Sequence, residues 1–155
     1  MVSERAVVLD PQPCAWSGGA PEPVVLSSEH RAFVVFDQPE SDQQSDGCTA
    51  VEFVRCIAVL SGFPNDEALH GHRLWGKGLG FYQVHEVLDS SWLAQVRDVE
   101  RHHHRAPAMP MNEVRHYVLT FHDSTVEALA HDLIVVGNYA SSAQAITDCA
   151  AKLRG

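Results

Sequence analysis

Histidines and carboxylates crowd one short stretch of this 155-residue chain, where His116, His122, Asp123 and Glu127 are interleaved with Thr120, Ser124 and Thr125. A histidine titrates near neutral pH, and a neighbouring carboxylate orients it and favours its charged form. Together they make a common proton-transfer arrangement. His122 is the candidate acid or base, oriented by Glu127 or Asp123. Ser124 has no G-x-S-x-G context and reads as a turn residue rather than a nucleophile.

Whether these side chains meet depends on the element that carries them. Residues 114–122 and 125–136 read as two antiparallel strands joined by a tight turn over His122 to Thr125. Successive strand residues face opposite sides. Tyr117, Leu119 and Phe121 therefore share an apolar face with Val126, Ala128 and Ala130, provided the connection has an even number of residues. An odd connection would bury Glu127 among the aromatics at a cost of several kcal/mol. With Phe121 set opposite Val126, the other face places His122 opposite Thr125, Thr120 opposite Glu127, Val118 opposite Leu129, and His116 opposite His131. His122 and Glu127 are then diagonal neighbours. Val118 and Leu129 in the middle of this polar face predict that part of it is covered, as in a binding cleft. Tyr82, Glu86 and Trp92 are candidates for the cleft lining, with Thr120, Thr125 and His116 as further ligand contacts. Two cross-strand histidines are also half of a metal site, with His85 or Glu86 as a third ligand, a weaker alternative.

The rest of the chain must hold that hairpin. Strands are expected at 31–37, 50–60 and 79–88, and shorter apolar runs at 5–9 and 24–26. Helices are expected at 90–104, capped by Asp89, Ser90 or Ser91, and at 141–153, capped by Ser141 or Ser142. Trp92, Val96 and Val99 form the apolar stripe of the first, with Leu93 beside it. His102, His103 and His104 at its end suit the helix dipole better than a metal, because adjacent helical residues point apart. Asn65 or Asp66 caps a short turn through residues 67–69. Gly76, Gly78 and Gly80 lack phosphate-loop spacing and mark a bend or a close backbone approach. The polar run 38–48 reads as an exposed loop. The whole is one α+β domain over 1–155 with a mainly antiparallel sheet. The strand–helix–strand–strand–helix order from residue 79 also fits a ferredoxin-like plait or a dimeric α/β barrel.

Composition limits the function. A net charge of −9 disfavours nucleic acid and anionic lipid as partners. No apolar run approaches the ~20 residues that span a bilayer, and residues 1–10 lack the pattern of a signal peptide. Both point to the cytoplasm. The cysteines Cys14, Cys48, Cys56 and Cys149 form no C-x-x-C pair and read as free thiols. No motif calls for a cofactor.

The segments FPNDEALHGHRLWGKGLGFYQVHEVLDSSW (63–92) and RHYVLTFHDSTVEALA (115–130) resemble a group of small bacterial proteins with a T-F-H-D-S-T-x-E signature. The resemblance covers about half the chain. It implies no reaction, only that Glu86, Trp92, His116, His122, Asp123, Ser124, Thr125 and Glu127 match the group's pattern. The expectation is a small enzyme or ligand-binding protein that uses the His/Glu/Thr face of the hairpin on a neutral or cationic small molecule. The competing reading is a non-enzymatic interaction module that forms a homodimer through a strand edge or the Trp92 helix.

Overall fold

A computed structural model describes residues 2–16, 18–19, 21–39, 47–103 and 110–155. The protein is α+β, with nine strands in two sheets and only antiparallel ladders among the described residues. The first sheet has the order β1 (Arg5–Val8), β6 (Val84–Leu88), β7 (Arg115–Thr120), β8 (Thr125–Ala130), β5 (Ala58–Gly62). The second has the order β2 (Val24–Ser27), β3 (Ala32–Asp37), β4 (Cys48–Val54), β9 (Asp132–Tyr139).

The two sheets pack face to face. Tyr117, Leu119, Phe121, Val126, Ala128 and Ala130 of the β7–β8 hairpin meet Val34, Phe36, Val51 and Phe53 of the second sheet in one core. Trp16 lies in this core. It stacks on Phe121 with ring centroids 4.4 Å apart, and its indole N–H donates to the Thr120 carbonyl at 3.0 Å. Each outer face has its own cover. Helix α2 (Ser142–Lys152) lays Ala145 and Cys149 on Phe33, Val35 and Ala50. Ser141 caps it, and the Arg31 guanidinium donates to the Lys152 carbonyl in its last turn. Helix α1 (Ser91–Glu100) and the segment 63–83 cover the outer face of the first sheet.

Two expected strands are each divided. Residues 50–60 span β4 in one sheet and β5 in the other, with a corner at Arg55, whose φ is +50°. Residues 125–136 likewise divide at His131 into β8 and β9. The corners lie side by side, because the His131 N–H donates to the Val54 carbonyl at 2.9 Å. The apolar residues on either side of each corner belong to different sheets, so in sequence the two short runs read like one strand covered on both sides. The expected strand 79–88 shortens to β6, because Tyr82 takes φ +55° and bends the chain ahead of it. The plait and the α/β barrel are replaced by this two-sheet packing. Both would need α1 to join parallel strands, whereas β6 and β7 are antiparallel neighbours.

Helix α1 is shorter than 90–104, and residue 104 lies outside the described residues, as does most of the 38–48 loop. Its buried residue is Leu93, while Val99, expected on the apolar stripe, is exposed. At Gly78 (φ +102°) a Cβ would stand 2.0 Å from the Ala6 carbonyl oxygen, so the glycine there reflects a close backbone approach. No described helix is long and apolar enough to cross a membrane.

Candidate functional site

The hairpin presents the expected faces but a different register. Val118 lies opposite Glu127, Thr120 opposite Thr125, and His116 opposite Leu129. This is a shift of two residues, which keeps every side chain on its face while changing its partner. The Phe121 N–H donates to the Ser124 carbonyl, so His122 and Asp123 form the turn. His122 therefore sits at the tip of the hairpin and does not pair with Glu127. His116 does not face His131, which instead lies at the corner with Nδ1 3.5 Å from Glu113.

Glu127 is 2% exposed and fully engaged. His72 Nε2 stands 2.6 Å from Oε1, His116 Nε2 3.1 Å from Oε2, and the Arg73 guanidinium grips both oxygens at 3.0 and 2.8 Å. The surrounding bonds fix the tautomers. His72 Nδ1 accepts from the Leu74 N–H at 3.1 Å, so its Nε2 carries the proton that goes to Glu127. The Ser90 hydroxyl oxygen accepts from the Leu93 N–H as the α1 cap, and its hydrogen goes to His116 Nδ1 at 2.7 Å. His116 Nε2 is then also a donor. Burial alone would raise the Glu127 pKa. Hydrogen bonds from His116, His72 and Arg73, with the Arg73 charge, reverse that and hold it well below the usual carboxylate range. The two rings point N–H groups at a carboxylate that Arg73 already neutralises. No donor set for a metal ion is grouped among the described residues.

That cluster orders the outer face of the first sheet. Trp92 closes it, with its ring edge-on to His116 at 5.2 Å between centroids. His85 is fully buried beside it, accepting from the Gly80 N–H at 3.0 Å and donating to the Val118 carbonyl at 3.2 Å. Glu86 falls on the opposite face of the sheet, 3.9 Å from Arg115. Sequence reasoning missed His72 and Arg73 as partners of Glu127, and Ser90 as the partner of His116. The one available signal was Glu127 itself, because a carboxylate on a strand face that includes Val118 and Leu129 needs a cation. Arg73 sits amid the apolar Leu69, Leu74 and Leu79.

An open cleft of about 320 Å³ lies at the hairpin tip, lined by Asp66, Glu67, Phe81, Tyr82 and His122. The hairpin builds both of its walls. The Asp66 N–H donates to the His122 carbonyl at 2.8 Å, and the Thr125 hydroxyl donates to the Pro64 carbonyl at 3.0 Å. Asn65 caps the following 3₁₀ turn (Asp66–Gly71). On the other wall, the buried Thr120 hydroxyl donates to the Gly80 carbonyl at 2.8 Å and accepts from the Gln83 N–H at 3.2 Å. Thr120 and Thr125 thus hold the two segments that line the cleft without lining it themselves.

Within the cleft the Tyr82 hydroxyl donates to Asp66 Oδ2 at 2.5 Å. That bond, with burial and the Asp66 charge, pushes the Tyr82 pKa up to about 12, so the phenol stays neutral. Asp66 Oδ1 is buried and has no hydrogen-bond partner. His122 Nδ1 stands 3.8 Å from it, too far for a hydrogen bond, and 3.0 Å from Asp123 Oδ1. Desolvation works against the charged imidazole, but the Asp123 hydrogen bond and the charges of Asp66 and Asp123 outweigh it and lift the His122 pKa above its ordinary value.

Larger grooves offer less chemistry. In the one between β6 and α1, Arg97 already donates to the Met111 carbonyl and Arg115 lies beside Glu86 and Tyr117. In the one along α2, the Tyr139 hydroxyl and Lys152 both bond Asp148.

Fold and site together define an antiparallel two-sheet α+β protein with an aromatic-walled carboxylate cleft at a hairpin tip. No protein-family model, curated protein or solved structure matches the chain.

Proposed function

We propose that this chain binds a small molecule in the cleft of Asp66, Phe81, Tyr82 and His122, and that His122 exchanges a proton with it. The observation that carries this reading is the buried, unpartnered Oδ1 of Asp66 opposite a half-exposed imidazole. A buried carboxylate oxygen without a donor costs on the order of 1–3 kcal/mol, and a bound ligand that supplies the donor recovers it. The His116–Glu127 cluster, saturated by its own partners, serves as the rigid floor beneath the hairpin and not as the reacting group.

The test is an amide-resolved NMR screen of the intact protein against small amines, alcohols and carboxylates at millimolar concentration. Saturable shifts confined to residues 66–67, 81–82 and 122–123 are expected. His122→Gln should keep the spectrum of the folded protein and remove the pH dependence of binding between pH 6 and 8, where a histidine titrates. Shifts that map to another groove, or none in the whole panel, overturn the reading.

A second reading has one observation in its favour. Ile134 and Val135 are exposed on β9, an eight-residue strand at the open edge of the second sheet. An edge of that length is a template for pairing with a second copy, and a homodimer formed there is compatible with ligand binding in the cleft.

A further inference from the structure

Resting on the small-molecule reading of the cleft, we infer that the ligand is a protonated primary amine with a short apolar body, its ammonium donating to Asp66 Oδ1. Three independent features of the cleft select this chemistry. The first is the acceptor. Asp66 Oδ2 is occupied by Tyr82, whereas the buried Oδ1 makes no hydrogen bond and has only the His122 ring nitrogen near it, at 3.8 Å, so it can take one N–H or O–H donor and has no use for another acceptor. A charge-assisted bond from an ammonium is about twice as strong as one from a neutral donor.

The second is the sign of the surrounding charge. Glu67 lines the cleft with Asp66, Asp123 stands beside it on the turn, and neither lysine nor arginine lines it. A carboxylate or phosphate ligand would meet Asp66, Glu67 and Asp123, with His122 the one lining group able to carry a positive charge. The overall −9 of the chain adds attraction for a cation at longer range.

The third is the wall. Trp75, Phe81 and Tyr82 form a run of aromatic rings with centroids 5.6 and 5.8 Å apart. Trp75 is 41% and Phe81 45% exposed, large apolar groups left uncovered beside a carboxylate. Ring faces attract a nearby cation and accept its alkyl chain. The cleft volume of about 320 Å³ is at the small end of ligand pockets, which limits the body to a few carbons. The pieces are held rigidly. Tyr82 is fixed in the left-handed region, and its ring lies so close to Gly18 that a Cβ there would stand 3.0 Å from it.

The experiment compares four probes of similar size by amide-resolved NMR titration of the whole chain: n-butylammonium, n-butanol, tetramethylammonium and butyrate. The expected order is n-butylammonium first, with n-butanol and tetramethylammonium each weaker by about tenfold or more and butyrate silent. The alcohol lacks the charge, and tetramethylammonium lacks the N–H that Oδ1 requires. Asp66→Asn should weaken n-butylammonium by about tenfold and leave n-butanol unchanged, since the amide still accepts from Tyr82. If n-butanol binds as well as n-butylammonium, the amine assignment falls while the cleft reading stands. Equal binding of tetramethylammonium overturns the hydrogen bond to Oδ1. If no probe shifts residues 66–82 and 122, both fall together. The wild-type comparison decides even if Asp66→Asn fails to fold.

Discussion

Glu127 shows what one buried charge requires. Both of its oxygens are bonded, two histidine ring nitrogens stand on them, and Arg73, whose side chain is 39% exposed, brings a permanent positive charge. Removing the carboxylate charge leaves two inward N–H groups and a guanidinium facing an amide that cannot accept from all of them. Breaking a buried pair in this way typically costs 3–5 kcal/mol. Because Arg73 reaches water, Glu127→Gln should cost about 3 kcal/mol in urea unfolding at pH 7. The pH dependence carries a definite sign. The Glu127 pKa is depressed in the folded state, so its contribution is complete above the unfolded carboxylate value of about 4.3 and is lost as pH falls toward the folded value. The gap between wild type and Glu127→Gln should therefore be constant from pH 7 to 5 and narrow below pH 4. A variant as stable as wild type at pH 7 would show that the cluster contributes nothing.

At the scale of elements, Ser90 joins a helix cap to that cluster. Its oxygen accepts from the Leu93 N–H and its hydrogen goes to His116, so α1 is docked through the same atom that starts it. Ser90→Ala should lose about 1 kcal/mol for the cap and about 1–2 kcal/mol more for the buried His116 nitrogen left without a donor. Ser90→Thr, which keeps the hydroxyl, should recover most of this. A loss from Ser90→Ala below about 0.5 kcal/mol in urea unfolding, a value typical of neutral surface changes, would mean that the two bonds are not coupled. Elements were also where the sequence was most and least legible. The faces of β7 and β8 followed from the alternation of Tyr117, Leu119 and Phe121 against Thr120 and Val118, and side-chain chemistry narrowed each cap to two or three neighbours, of which Ser90, Ser141 and Asn65 do the capping. The register did not, because a slip of two preserves every face, and only the turn geometry at His122–Asp123 distinguishes the alternatives. The corners at Arg55 and His131 were also hidden. Nothing in the residue types marks a left-handed arginine, and the short polar break at each corner, Arg55 in one and His131–Asp132 in the other, also fits an exposed position within one strand. The cleft was half visible. His122, Asp123 and Tyr82 were singled out, but Asp66 and Glu67 read only as part of a capped turn and Phe81 only as a strand position, because nothing local in the sequence brings residues 66–67 and 81 together.

Over the described residues the molecule is a pair of sheets with four edges, and they are not equally protected. β1 and β2 are four residues each and lie next to prolines, Pro11 after one and Pro21 and Pro23 before the other. Short edges flanked by proline resist pairing. β5 has five residues and ends at Gly62, whose φ of +140° turns the chain away. β9 has eight residues, no proline or lysine, and exposed Ile134 and Val135 near its middle. If two copies meet, this is the edge with the most unpaired backbone and the most apolar surface to gain. A two-fold axis across β9 would join the four-stranded sheets into one antiparallel sheet, with α2 of each copy on the same side. Light scattering should then give twice the 17.1 kDa mass at high protein concentration and the single-chain mass on dilution. Val135→Lys places a charge where the strands would meet and should hold the mass at one chain while leaving thermal unfolding nearly unchanged, since the residue is 41% exposed. The cleft lies on the first sheet's hairpin tip, so amine binding should be the same in the monomeric variant. A wild-type mass of one chain at every concentration would exclude the β9 dimer without touching the cleft. A loss of binding in Val135→Lys would instead show that the two sheets communicate.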